Sequence, residues 1–316
     1  MRRDRLGLLY ILISVTGYSF VAVFADGLRN AGLPPIEIAF WRYLLTAPIF
    51  IGLALSSPSP LEGQRLPRKG LLLLGCGLAI EGLCAFIGLQ YLSAGIYLVL
   101  FYTYPAITAI IATILGERLS NIGWAALGVT LIGVILTIAD FSLDSGSTAW
   151  IGVVCALVNA ALAAVYFIAM DRMLRGHTAI TRAGAYTVSG ALLFLTAISG
   201  VKALTSTFVV PSGLSTWATL IGMVVISTLI PVLTMNRGIR EVGPTRAAIF
   251  GTMEPLLTAV WAQMLLHQTM LPIQWLGGLL VIASVIVLQL RGAETAPESV
   301  EDMPVEPETA AIEGTV

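Results

Sequence analysis

Ten stretches of about twenty apolar residues occupy most of the chain: 6–25, 36–55, 70–91, 94–115, 120–139, 149–170, 183–204, 214–235, 246–266 and 273–290. A helix needs about 20 such residues to cross the hydrocarbon core of a bilayer. The pattern therefore predicts ten membrane spans, numbered here 1 to 10. The longest interval between them, Ser56 to Lys69, is too short for an extramembrane domain. Run 1 follows Arg2, Arg3 and Arg5 as a signal peptide would. Its length exceeds the roughly 7–15 apolar residues of a signal core, so it reads as a retained first helix.

Charge sharpens this reading. Only 11% of the 316 residues are charged, against about 25% in a soluble domain. Residues 1–290 carry 16 Lys/Arg and 11 Asp/Glu, a net +5, whereas 291–316 carry one Arg and seven acids, a net −6. The last segment lacks periodicity and is expected to be a disordered acidic tail. With the N-terminus in the cytoplasm, 14 basic residues fall on the cytoplasmic side and only Arg29 and Lys202 outside. That asymmetry predicts a multi-pass protein of the inner (cytoplasmic) membrane with both termini cytoplasmic. No basic patch interleaved with aromatics is available for nucleic acid. Cys76, Cys84 and Cys155 lie inside apolar runs without CxxC spacing or a nearby histidine cluster. They read as small packing residues, with no disulfide or metal site expected.

The chain also repeats itself. A displacement of 150 residues places Gly88 on Gly238, Pro105 on Pro255, Thr108-Ala109 on Thr258-Ala259, Leu115 on Leu265 and Gly128 on Gly278. Each repeat holds five spans, and five is odd, so the second enters the membrane upside down. The expected units are 1–140 and 141–290, followed by the tail 291–316. Inverted repeats of this kind build alternating-access carriers, with substrate held near the midplane between the repeats.

Particular motifs then stand out. The first half holds Tyr104-Pro105-Ala106, Gly116-Glu117-Arg118-Leu119-Ser120, Gly123, Gly128 and Gly133. The second holds Met253-Glu254-Pro255-Leu256 and Gly277-Gly278, and span 2 holds Phe40-Trp41-Arg42-Tyr43. On these residues the chain, over about 6–290, resembles EamA-type members of the drug/metabolite transporter superfamily. The resemblance implies an all-α polytopic membrane protein with ten helices in a five-plus-five inverted repeat. It also implies transport of a small metabolite, favouring export of an amino acid or related compound. It places spans 5 and 10 away from the cavity, where their glycines would serve repeat packing or a homodimer contact. One departure is plain: His267 stands where the second repeat would match Glu117.

Ionisable groups inside a bilayer are costly and are functional candidates by default. Three lie well inside the runs: Arg42, Glu81 and Glu254. Arg42 and Glu81 differ in depth by only about one helical turn, so an ion pair that fixes helix packing competes with a role in a substrate cavity. Glu81 is also a candidate proton carrier or partner for a cationic substrate group. Glu254 either caps backbone freed by Pro255 or lines the cavity. Asn159 and Tyr102 are the uncharged polar candidates at similar depth, and Tyr97, Tyr104 and Tyr166 lie nearby. Pro105 and Pro255 are paired hinges or static kinks. Glu117 is assigned a structural role beside span 5. Trp124, Trp150, Trp217 and Trp275 lie near span ends and fit an interfacial aromatic belt.

These features favour secondary transport with the lipid bilayer and a small-molecule substrate as partners. No Walker A motif occurs, so neither ATP drive nor a cofactor is expected. A membrane enzyme would need convergent catalytic groups, yet the two histidines, His177 and His267, fall on opposite faces. A non-transporting scaffold or receptor subunit is the competing reading. It would have no need of polar groups at the midplane.

Overall fold

A computed structural model describes residues 2–57, 66–116, 119–138, 148–174, 179–205, 207–242 and 244–294. The expectations for Glu117, Arg118, His177 and the tail from residue 295 lie outside the described residues. Among the described residues, ten helices are long and apolar enough to cross a membrane: Arg5–Asn30, Pro35–Leu55, Arg68–Gly88, Ala94–Ile114, Asn121–Ile138, Ala149–Leu174, Thr181–Thr205, Leu214–Ile239, Ile249–Leu266 and Pro272–Leu290. A helix satisfies its backbone hydrogen bonds internally, which lipid requires. Hydroxyls within the spans do likewise. Thr46, Thr108, Thr130 and Thr234 each donate to the carbonyl four residues earlier.

Prolines set the irregularities. Span 4 is interrupted at Tyr102–Thr103, just before Pro105, and span 9 at Thr252, three residues before Pro255. The two breaks coincide under the repeat displacement. In span 8 the turn Val225–Leu229 is a π-helix. It precedes Pro231, whose ring would collide with a carbonyl of the preceding turn in a regular helix. Widening the turn removes the collision.

The two halves pack chiefly against each other. Span 1 lies along span 8, span 2 along span 7, span 3 along spans 6 and 7, span 4 on spans 6 and 9, and span 5 along span 10. Close approach depends on small side chains, as in most membrane helix pairs. A Cβ on Gly75 would run into the Thr187 carbonyl, and one on Gly190 into the Leu72 carbonyl, so spans 3 and 7 touch backbone to backbone. A Cβ on Gly133 would sit 2.8 Å from the Gly277 carbonyl oxygen. Thr130 and Ser284 also share a hydrogen bond of 2.7 Å between spans 5 and 10. Gly123, Gly128 and Gly278 take no part in that backbone contact. Large apolar side chains such as Leu131, Leu193 and Leu276 point outward, the inverse of a soluble fold. Ten spans return the chain to the face on which it starts, called the N face below.

Candidate functional site

Spans 1, 2 and 3 of the first half and 6, 7 and 8 of the second enclose a cavity of about 560 Å³. Its lining begins with Leu53, Met170, Thr181 and Ile239, which lie at span ends on the N face. It runs inward past Tyr166, Thr187 and Asn236 to Tyr18, Thr228 and Arg42. The walls are mainly apolar, with a few hydroxyls and amides, the usual make-up of a small-molecule site.

Among the described residues, Arg42 is the one charged lining residue. Its Nε donates to the Thr228 hydroxyl at 3.2 Å, and its guanidinium lies 5.9 Å from the centre of the Phe86 ring. Thr228 sits within the π turn of span 8, so the irregularity that accommodates Pro231 also presents a partner to Arg42. No carboxylate among the described residues forms an ion pair with Arg42. The alternative of an ion pair with Glu81 is therefore not formed. One Glu81 oxygen is buried without a hydrogen-bond partner among the described residues. That side chain lies within electrostatic reach of Tyr43, Tyr97 and Tyr166.

The opposite face is closed over Arg42. Trp41 meets Trp217 with ring centres 5.5 Å apart, and Phe40 meets Phe208 at 5.4 Å. The Trp41 indole N–H donates to the Val209 carbonyl at 3.3 Å. Trp217 thus belongs to an internal plug. Trp124 and Trp150, by contrast, are exposed as the belt reading expects. Nearby, Lys202 forms an ion pair with the fully buried Glu37, whose carboxylate also accepts the Val209 N–H at 3.3 Å. Together these contacts tie span 2 to the connection between spans 7 and 8.

The remaining candidates do not line this cavity. Asn159 donates to the Tyr97 hydroxyl at 2.8 Å, joining spans 6 and 4. Tyr102 brings its hydroxyl to within 2.8 Å of the Gly251 carbonyl and 2.9 Å of Glu254 Oε2. Gly251 is four residues before Pro255, so its carbonyl is the acceptor that the missing proline N–H leaves free. Tyr102 fills the capping role that was one alternative for Glu254, and Glu254 binds Tyr102 instead. The five candidates therefore divide into Arg42 at the cavity, the Tyr102–Glu254 pair between spans 4 and 9, and Asn159 with Tyr97 near Glu81. Sequence reasoning missed Tyr18, Thr228 and Asn236. Nothing in the local sequence around these three residues distinguished them from ordinary polar residues of a membrane helix.

Duplicated five-span halves around a cavity define a membrane transporter. The model of the EamA-like transporter family matches residues 5–139 and again 150–290. The chain belongs to that family. An uncharacterized transporter, YcbK, of Bacillus subtilis (strain 168) is 26% identical over 290 residues, covering 88% of this chain and 90% of the relative. The pseudopaline exporter CntI of Pseudomonas aeruginosa (strain UCBPP-PA14) is 24% identical over 283 residues, covering 89% and 94%. Among solved structures, one protein crystal structure superposes with a TM-score of 0.62 at 17% identity, covering 91% of this chain and 98% of that one. This last likeness concerns the fold alone.

Proposed function

We propose that this protein is a secondary transporter that exports a small carboxylate-bearing metabolite, an amino acid or a related compound, by alternating access. The carrying observation is Arg42: a guanidinium at the inner end of a cavity between the halves, paired with no described carboxylate. A charge at this depth is costly unless it meets an opposite charge or water. A substrate carboxylate supplies the former. The 14-to-2 division of basic residues supports a cytoplasmic N face. The cavity then faces inward, toward metabolite pools, with Trp41, Trp217 and the Glu37–Lys202 pair closing the outer side. Units 1–140 and 141–290 are the two moving parts in this reading, with Pro105 and Pro255 at their hinges. The Pseudomonas relative is named an exporter, which supports the direction.

The test is counterflow in proteoliposomes preloaded with single amino acids, comparing wild type with Arg42→Gln. Wild type should accumulate labelled amino acid and the variant should not. Equal counterflow in both would remove Arg42 from the site. A wild-type protein that moves nothing across a broad metabolite panel would instead fit the scaffold reading.

A further inference from the structure

Hydrogen counting around Tyr102 leads to a site that the cavity reading does not use. A phenol has one proton to donate. The Tyr102 hydroxyl nevertheless lies within hydrogen-bond distance of two oxygens, the Gly251 carbonyl at 2.8 Å and Glu254 Oε2 at 2.9 Å. A carbonyl can only accept. If Glu254 is ionised it too can only accept, and one of the two short contacts then has no hydrogen in it. If Glu254 carries a proton, both contacts are satisfied in a chain: the carboxyl O–H donates to the Tyr102 oxygen, and the Tyr102 O–H donates to Gly251.

We propose that Glu254 is a proton-binding site, and that loss of its proton loosens the break in span 9. Among the described residues, the charge of Glu254 acts on Tyr18 from span 1 and on Tyr102 and Tyr104 from span 4, and Tyr102 is its hydrogen-bond partner. Among the described residues no cation forms an ion pair with it. Without compensating positive charge in an apolar span, the neutral acid is the favoured form. On deprotonation the carboxylate draws the Tyr102 hydrogen, because a charged acceptor outcompetes a neutral one. The Gly251 carbonyl then loses its partner at the point where Pro255 already denies it a backbone N–H. The local helix must shift to find another donor. Tyr18 lines the cavity and lies within electrostatic reach of both Glu254 and Arg42, so the proton site is one side chain from the proposed substrate site.

A coupling role for this site rests on the transport reading, but the site itself is testable without any substrate. Infrared spectra of the purified protein in nanodiscs, recorded between neutral and alkaline pH, should contain the carbonyl stretch of a protonated carboxylic acid. A component of that band should vanish in Glu254→Gln and shift in Tyr102→Phe, which removes the acceptor of its hydrogen bond. Hydrogen–deuterium exchange over residues 244–255, corrected for intrinsic pH dependence, should rise several-fold with pH in wild type and stay flat in Glu254→Gln. An unchanged infrared band in Glu254→Gln would overturn the proton site. Exchange with the same pH response in both proteins would overturn its link to the break. Failure of counterflow in wild type would leave both readouts standing, and so strikes the transport reading alone.

Discussion

Arg42 is satisfied by a hydroxyl and the face of an aromatic ring, neither of which cancels its charge. Its capacity to bind an anion is therefore intact. Arg42→Lys should retain part of the counterflow that Arg42→Gln loses, because an ammonium keeps the charge but not the planar fork that grips a carboxylate at two points. The drop should exceed about tenfold for Gln, the size expected when a hydrogen bond to a charged group worth about 1.5–3 kcal/mol is lost. Initial rates at subsaturating substrate would check this. Arg42 was legible in the sequence because a charge inside an apolar run has few harmless explanations. Thr228 was not. A threonine in a membrane helix usually bonds its own backbone, and only the fold brings this one to Arg42, 186 positions away. Glu37 and Lys202 were hidden for a related reason. Both lie near span ends, where charges ordinarily meet water, and only the packing of span 2 on span 7 buries the carboxylate.

At the scale of single spans, two prolines and one π turn decide where regular helix stops. Pro255→Ala restores an N–H facing the Gly251 carbonyl, in competition with Tyr102. The segment around Thr252 should then become continuous helix, and amide exchange there should slow by several-fold in hydrogen–deuterium exchange. If the break moves during transport, counterflow should fall in the same variant although the fold is retained. Spans 3 and 7 make a different demand. Gly190→Leu has no space, because the obstacle is the Leu72 backbone carbonyl and not a movable side chain. Overpacking of a tight core costs about 1–3 kcal/mol, and an immovable obstacle favours the upper end. Thermal unfolding in detergent should show a clear drop in midpoint. The sequence marked the kinks through the paired prolines. It did not mark the π turn, because Val225–Leu229 has ordinary helical composition and its widening answers a proline lying just beyond it.

For the molecule as a whole, the inverted repeat was readable from the 150-residue correspondence and the odd number of spans in each half. The cavity's makeup was not, since it draws on spans 1 to 3 and 6 to 8 and leaves Asn159, Tyr102 and Glu254 elsewhere. The Glu37–Lys202 pair joins the halves on the closed face. Lys202→Ala would leave the buried Glu37 carboxylate without the ammonium of this pair, at a cost of about 3–5 kcal/mol. The double variant Glu37→Leu with Lys202→Met removes both charges and should recover much of that loss, as read by unfolding midpoints. The same double variant should also weaken closure of that face, raising labelling of a cysteine placed at Phe208 by a membrane-impermeant thiol reagent. The extensive contact between halves, span 1 on 8, 2 on 7, 3 on 6 and 7, and 5 on 10, bears on how such a chain is made. Translation delivers the first five helices well before their partners exist. Until span 8 is inserted, Ser14 lacks the Pro231 carbonyl to which it donates and Arg42 lacks Thr228. The first-half helices meet one another only sparingly, span 2 on 3 and span 4 on 5, so most of the packing of this fold can form only late, once the second half arrives.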